Sequence, residues 1–322
     1  MKAIVQRAYG PPGILEVGEV DQPVPGDGEV LVRVRASSVN FGDLVTTRGV
    51  PYAARLVLGP RRPRHRVPGH DLAGVVEAVG PGVTRFGPGD AVYGEVVAGA
   101  YAEYARVPEK FLAAMPGGLS FEEVATVPVA GNTALKGLRD AGRLRAGQSV
   151  LVNGASGGVG TFSVQVAKAL GAEVTGVCRT RNVELVRSLG ADEVIDYTRA
   201  DFAQAGRRFD VILDLVGNRS LRELTRLLNP GGVLVLSSGG GGTWLGPMGR
   251  ILRAVVMSPF GDRTLRSSVA GRSAGNLATL KDLIESGAVR PHVECAYPLG
   301  EVPDALRHFE ERHARSKIAI TV

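Results

Sequence analysis

A small-residue turn and a basic run about 20 residues after it carry the clearest chemistry in this chain. In Ala155-Ser156-Gly157-Gly158-Val159-Gly160, glycines hold the second and third places of a G-x-G-x-x-G spacing, and Ala155 holds the first. Such a turn suits a pyrophosphate. Gly157 lets the backbone come close to the ligand, and Gly160 lets the next helix pack hard on the preceding strand. The free N–H groups at the helix start then hold the phosphate charge. In Arg179-Thr180-Arg181, an arginine stands where NAD-preferring turns carry an acid for the ribose 2′-hydroxyl. Arginine offers a 2′-phosphate two parallel hydrogen bonds. The expected cofactor is therefore NADPH, with Arg179 as its main contact and Thr180 and Arg181 as further donors. Arg181 reads equally well as a solvated first-turn residue.

These groups act only if the surrounding elements present them. Ser149-Val150-Leu151-Val152-Asn153 reads as a buried strand, and the helix after the turn has apolar positions at Val159, Phe162, Val166 and Leu170. Strands are expected at Val150–Asn153, Glu173–Cys178, Glu193–Asp196, Phe209–Leu215 and Val233–Ser237, with helices at Asn182–Leu189 and Ser220–Leu228. That alternation demands an α/β fold with a doubly wound parallel sheet. Ligands lie at the carboxyl edge of such sheets, which adds Val216, Gly217, Ser237 and Ser238 as cofactor candidates. Loop chemistry alone accounts for them equally well.

The first 38 residues or so alternate in short runs broken by Gly and Pro, and read as a β-rich module. A polar turn is expected at Ser38–Leu44, then Tyr52–Arg55 and a basic loop, Arg61-Arg62-Pro63-Arg64-His65-Arg66. Strands resume at Gly69–Gly80 and Ala102–Val107. Ser120-Phe121-Glu122-Glu123 has the form of a capping box, and a second helix is expected to follow Gly131-Asn132-Thr133-Ala134. A segment from Gly239 to Pro259 carries Trp244, Leu245, Ile251, Leu252, Val255, Val256 and Met257, and reads as a lid or a subunit contact, with membrane-surface association as the lesser alternative. The helix Leu277–Ser286, a strand near Val293, the helix Pro303–Glu311 and the strand Lys317–Val322 close the chain.

A chain of 322 residues has room for two domains. It holds no run of about 18 apolar residues, so no membrane insertion is expected. Met1-Lys2-Ala3-Ile4-Val5 reads as a strand and not as a cleaved signal, which favours the cytoplasm. Two cysteines, Cys178 and Cys295, cannot build a disulfide framework or a four-thiolate metal site. The net charge of +6 comes without a nucleic-acid recognition motif, so an anionic small molecule explains it more economically than nucleic acid.

Together the pieces resemble a medium-chain dehydrogenase/reductase. The matching residues are Gly69-His70-Asp71-x-x-Gly74-x-Val76-x-x-Val79-Gly80, Gly87-x-Gly89-Asp90-x-Val92 and the turn Ala155–Gly160. His313-Ala314-Arg315-Ser316-Lys317-Ile318 is similar to the quinone oxidoreductase branch, in particular to the reticulon-interacting mitochondrial protein group. The resemblance implies a Rossmann domain, residues 128–271, and a chaperonin-10-like (GroES-like) β-rich domain built from residues 1–127 with 272–322. Alcohol dehydrogenases of the family place cysteines where this chain reads Asn40-Phe41-Gly42-Asp43 and Pro128-Val129-Ala130-Gly131, and a four-cysteine lobe where Glu95–Tyr101 has none. A catalytic zinc needs about three protein ligands, and His70 with Asp71 does not supply them. His70 then reads as a polar-pocket or hydrogen-bonded core residue, and no metal is expected. The resemblance also places Asn40, Asp43 and Thr133 beside the nicotinamide and Tyr197 at the adenosine. Turn and helix-start preferences explain Asn40, Asp43 and Thr133 too. Tyr52 is a candidate for hydrogen-bonding or protonating the acceptor, with an ordinary core or surface tyrosine as the alternative.

Without a Lewis acid, a simple ketone or alcohol is hard to polarise, whereas a quinone or enone spreads incoming charge over its own π-system. The expected activity is NADPH-dependent, zinc-independent hydride transfer to a quinone or α,β-unsaturated carbonyl. An enoyl-thioester reductase, with the basic loop meeting coenzyme A phosphates, and a non-catalytic NADPH-binding protein are the alternatives. A homodimer through the edge of the Rossmann sheet, extended by Trp244–Met257, is the expected assembly.

Overall fold

The middle of the chain folds into a six-stranded sheet in which every neighbouring pair is parallel. A computed structural model describes residues 1–204, 206–237, 242–246, 248–257, 263–268, 271–311 and 315–322. From edge to edge the strands are Glu193–Asp196, Glu173–Cys178, Ser149–Asn153, Phe209–Asp214, Leu228–Leu236 and Thr264–Ser267. The order reverses between Ser149–Asn153 and Phe209–Asp214, the switch point where doubly wound sheets bind dinucleotides. Leu151, Ile212 and Leu234 are fully buried in one apolar cluster, and burying each such side chain stabilises by roughly 1.5–3 kcal/mol. The sixth strand, Thr264–Ser267, was not among the expected elements; it is short and Leu265 is its one buried residue, so its apolar signal is weak.

The chain divides into two units. Residues 133–271 with 286–290 form the one around this sheet, and residues 1–132, 272–285 and 291–322 form the other. The second unit holds a seven-stranded sheet centred on Glu29–Ser38, whose antiparallel partners include Asp71–Val79, Tyr104–Pro108 and the last strand, Lys317–Thr321. Pairing Ala319 with Ser38 brings the end of the chain against residues 38–40. Lys2–Val5 and Glu16–Glu19 form a separate antiparallel pair.

Two expectations need correction. Ser38–Leu44 is not simply a polar turn: Phe41–Arg48 is an α-helix with Asn40 as its N-cap and Gly49 closing it in the left-handed region at φ 62°. Asn, Asp and Gly favour turns, and they favour helix ends for the same hydrogen-bonding reason. The second helix after Ser120 does not follow Gly131–Ala134 but contains them, running Pro128–Leu135 before a wide turn, Lys136–Ala141. Proline is accepted in the first turn of a helix because its missing N–H would have no partner there. The segment read as a lid or contact contains the helix Met248–Met257.

Candidate active site

Asp71 is the centre of a buried polar cluster in the β-rich unit. Its Oδ2 accepts from Ser38 Oγ at 2.7 Å and Asn40 Nδ2 at 2.9 Å, and its Oδ1 accepts from the Val129 N–H at 2.9 Å. The Lys317 ammonium lies 3.4 Å from the same Oδ2 and donates to Asn40 Oδ1 at 2.5 Å and to the Val39 carbonyl at 3.0 Å. Asp71 and Lys317 are 0% and 3% exposed, so each is the other's main compensation for lost hydration. Burial pushes the Lys317 pKa down, and the charges of Asp71 and Asp43 oppose that fall. The Asn40 amide is thus committed on both of its polar atoms.

A second branch runs through Asp43. Its Oδ2 accepts the Asn40 N–H at 2.8 Å, and its Oδ1 lies 2.6 Å from His70 Nδ1. Burial works against an imidazolium at His70, but Asp43, Asp71 and Glu95 outweigh it and raise the pKa above the ordinary value. Glu95, paired with Asp71 across the sheet, is pushed up to about 7 by burial and then by the Asp71 charge, against the pull of His70 and Arg272. Hydrogen bonding from the buried Asn132 amide adds a smaller pull in the same direction. Asn40 and Asp43 therefore share one hydrogen-bond network with Ser38, Asp71, His70 and Lys317, and Glu95 is coupled to it through charge. Tyr52 lies on the exposed turn Tyr52–Ala54, with the Arg55 guanidinium 4.8 Å from its ring centre. None of the cluster's hydrogen bonds given above involves it.

In the other unit the turn after Ser149–Asn153 is built by close approach. A Cβ at Gly160 would meet the Gly154 carbonyl oxygen at 2.1 Å, so only glycine allows this helix to start so near the strand. Ala155 fits the first glycine's place because Gly176 on the neighbouring strand leaves room; a Cβ there would sit 3.0 Å from the Ala155 methyl. Gly157 is the N-cap of Gly158–Ala169, so the N–H groups of Gly158, Val159 and Gly160 belong to the first turn and have no intrahelical acceptor. Ser156 Oγ accepts from Asn182 Nδ2 at 2.9 Å, which pins the turn.

Arg179 follows the second strand, is exposed, and has no ion-pair partner among the described residues. Thr180 Oγ1 is 2.8 Å from Thr198 Oγ1, whose hydroxyl bonds Asp196, and this hydrogen bonding, Thr180 first, lowers the Asp196 pKa. Arg181 is exposed, and Tyr197 is half exposed beyond the third strand. At the carboxyl edge Asp214 Oδ1 accepts from the N–H groups of Val216 and Gly217 at 3.3 and 3.0 Å and from Asn153 Nδ2 at 2.8 Å. The Ser237 N–H reaches the Asp214 carbonyl at 3.2 Å. Arg250, on the helix Met248–Met257, forms a buried ion pair with Asp214 Oδ2 at 2.7 Å. Thr133 is buried in the helix Pro128–Leu135, and Ser238 lies outside the described residues.

Sequence reasoning missed Ser38, Glu95, Asn182, Asp214, Arg250 and Lys317. Lys317 and Asp71 were each inside a quoted stretch, but nothing in the spacing links them. Three His, Cys, Asp or Glu side chains arranged to hold a metal do not occur among the described residues. Asn40 Oδ1 is tied to an ammonium, and the Asp43 contact leaves His70 only Nε2 to offer a metal, one donor where a catalytic zinc takes about three, so the donor set does not fit a zinc ion.

Comparisons with known proteins agree with the two folds. The alcohol dehydrogenase GroES-like domain family matches residues 26–117, and the zinc-binding dehydrogenase family matches residues 189–320. The NADPH-dependent alkenal/one oxidoreductase of Arabidopsis thaliana chloroplasts is 32% identical over 99% of this chain and 79% of its own length. The quinone oxidoreductase of Homo sapiens is 31% identical over 95% of this chain and 92% of its own. Among solved structures, an NAD-dependent alcohol dehydrogenase superposes with a TM-score of 0.86 at 29% identity, covering 100% of both chains.

Proposed function

The chain belongs to the medium-chain dehydrogenase/reductase family, and we propose that it is an NADPH-dependent, zinc-independent reductase of quinones or α,β-unsaturated carbonyls. Quinone and alkenal/one oxidoreductases among its relatives support the acceptor class. The observation that carries the reading is the commitment of Asn40 to Asp71 and Lys317, at the place where the family's alcohol dehydrogenases hold a zinc-ligating cysteine. A conjugated acceptor is what such a site can reduce, because the acceptor delocalises the charge that zinc would otherwise stabilise.

Bound in the glycine turn, NADPH supplies the hydride. Gly158, Val159 and Gly160 present N–H groups and the positive helix end to the pyrophosphate, with Gly157 leaving room for it and Ala155 and Ser156 shaping the approach. Arg179 takes the 2′-phosphate, helped by Thr180 and Arg181, and Tyr197 contacts the adenosine. The hydrogen bonds that Asp214 accepts from their N–H groups fix Val216, Gly217 and Ser237 along the carboxyl edge. Asn40 and Asp43 are held rigidly by their shared network, which suits them to orient rather than to react, and Thr133 keeps its assignment to the nicotinamide end. Proton supply for the reduced acceptor is assigned to the pair His70 and Glu95. The imidazolium at His70 is favoured by Asp43, and Glu95 exchanges a proton near neutral pH. Tyr52 remains the candidate for contact with the acceptor itself.

A homodimer in the cytoplasm completes the proposal. Trp244, Leu245, Met248 and Leu252 are exposed, the helix Met248–Met257 packs on the outer strand Thr264–Ser267, and both cysteines are free thiols. No helix among the described residues is long and apolar enough to cross a membrane. The deciding experiment follows NADPH and NADH oxidation against quinones, enones, aldehydes and ketones, with metal analysis of the same sample. Turnover confined to conjugated acceptors with substoichiometric zinc supports the reading. Activity on simple ketones that a chelator abolishes overturns it, and NADPH binding with no turnover of any acceptor assigns a binding protein instead.

A further inference from the structure

A groove of about 1130 Å³ opens on the β-rich unit, away from the buried Asp71 cluster in its lining. Residues 5–7 and 18–20, on and just beyond the antiparallel strands Lys2–Val5 and Glu16–Glu19, line one part of it, and the loop 59–66 lines the other. Arg7, Arg61, Arg62, Arg64 and Arg66 line it, and Glu19 is the one acid among the lining residues. All five arginines are exposed, and among the described residues none of their guanidinium groups has an ion-pair partner. Five like charges lining one concavity give it a positive potential that draws an anionic occupant, most strongly at low salt.

The loop that carries them is braced rather than loose. Gly59 sits at φ 122°, where a Cβ would meet the Arg62 carbonyl oxygen at 2.2 Å. The Arg64 N–H reaches the Leu58 carbonyl at 2.8 Å, and the Gln6 N–H reaches the Arg66 carbonyl at 2.7 Å. Tyr9 donates its hydroxyl to the Gly59 carbonyl at 2.7 Å. The backbone that carries Arg61, Arg62, Arg64 and Arg66 is therefore set before any ligand arrives, and arginine forks match phosphate oxygens two at a time. At about 1130 Å³ the groove is slightly larger than small-molecule sites, which run to about 1,000 Å³, so a single phosphate would leave most of it empty.

We propose that this groove binds a small molecule carrying two or more phosphate groups. Two sources share that chemistry: a free nucleotide, or an unsaturated thioester acceptor whose carrier is a phosphorylated nucleotide such as coenzyme A. The Arg55 guanidinium lies 4.6 Å from the Tyr9 ring and 4.8 Å from the Tyr52 ring, so the groove wall and the candidate acceptor contact are mechanically joined. The thioester source rests on the acceptor reading given above; the phosphate site does not.

The test uses the full chain with NADP⁺ present to fill the dinucleotide turn. Coenzyme A and ATP are titrated against the wild type and against the double variant Arg62→Gln, Arg64→Gln. At least one should bind the wild type, weaken as salt is raised, and bind the variant at least tenfold more weakly, while the variant keeps its melting temperature and its turnover of a neutral quinone or enone. In the thioester case, crotonoyl-coenzyme A is reduced with a KM at least tenfold below that of crotonoyl-pantetheine, and the difference vanishes in the variant. Binding without thioester reduction identifies a free nucleotide as the ligand. Equal binding by wild type and variant, or none by either, overturns the proposal, as does a single-stranded oligonucleotide that binds more tightly than both probes. Failure to reduce any quinone or enone would refute the proposed function and leave the titration to decide the groove.

Discussion

Glu95→Gln should reverse part of the protein's pH-dependent loss of stability. Burial and the neighbouring Asp71 hold the Glu95 carboxyl at about 7, against an ordinary value of 4.5. A carboxyl raised in the folded state binds a proton more tightly folded than unfolded. Its contribution is therefore fully present below 4.5 and is lost as pH rises through 7. At 1.36 kcal/mol per unit, the wild type should lose about 2–3 kcal/mol between pH 5 and pH 8 that the neutral, equal-sized glutamine does not. His70 acts in the same direction, since its pKa is also raised, but it is present in both proteins and largely cancels in their difference. Urea unfolding of both proteins across that range measures the gap directly. The same substitution should remove the limb near neutrality from the pH profile of kcat while leaving NADPH affinity unchanged. Parallel stability curves for the two proteins would refute the assignment of a raised pKa to Glu95, and an unchanged kcat profile would remove it from proton supply.

Three further outcomes are expected. Arg179→Ala should raise the KM for NADPH at least tenfold and leave that for NADH nearly unchanged, since a charge-assisted contact is worth roughly 1.5–3 kcal/mol; equal weakening of both cofactors would refute the 2′-phosphate assignment. Gly160→Ala forces a methyl into the Gly154 carbonyl oxygen and should destabilise by about 3 kcal/mol and abolish dinucleotide binding, read by calorimetry and fluorescence quenching. Lys317→Met leaves Asp71 buried without its cation and should cost about 3 kcal/mol in urea unfolding and lower kcat, whereas wild-type stability would show the ammonium to be dispensable.

The sequence alone determined the parallel sheet and the dinucleotide turn. Strand and helix periodicity and the close-approach glycines are local properties, and the residues that express them are neighbours in the chain. The strands at Glu173–Cys178 and Glu193–Asp196 and the helix start at Gly158 follow from such short-range rules. Local rules failed at Ser38–Leu44, where the same residue types serve a turn or a helix cap and only packing chooses between them. They were silent on the polar cluster. Lys317 and Asp71 are 246 positions apart, and they meet only because the last strand pairs with Glu29–Ser38. Glu95 looks like any strand-end acid until burial beside Asp71 raises its pKa, and Arg250 looks like a surface cation until its helix sets it on Asp214. Desolvation and charge proximity are properties of what packs around a residue, so the tertiary structure alone decided which of the chain's ionisable groups are perturbed.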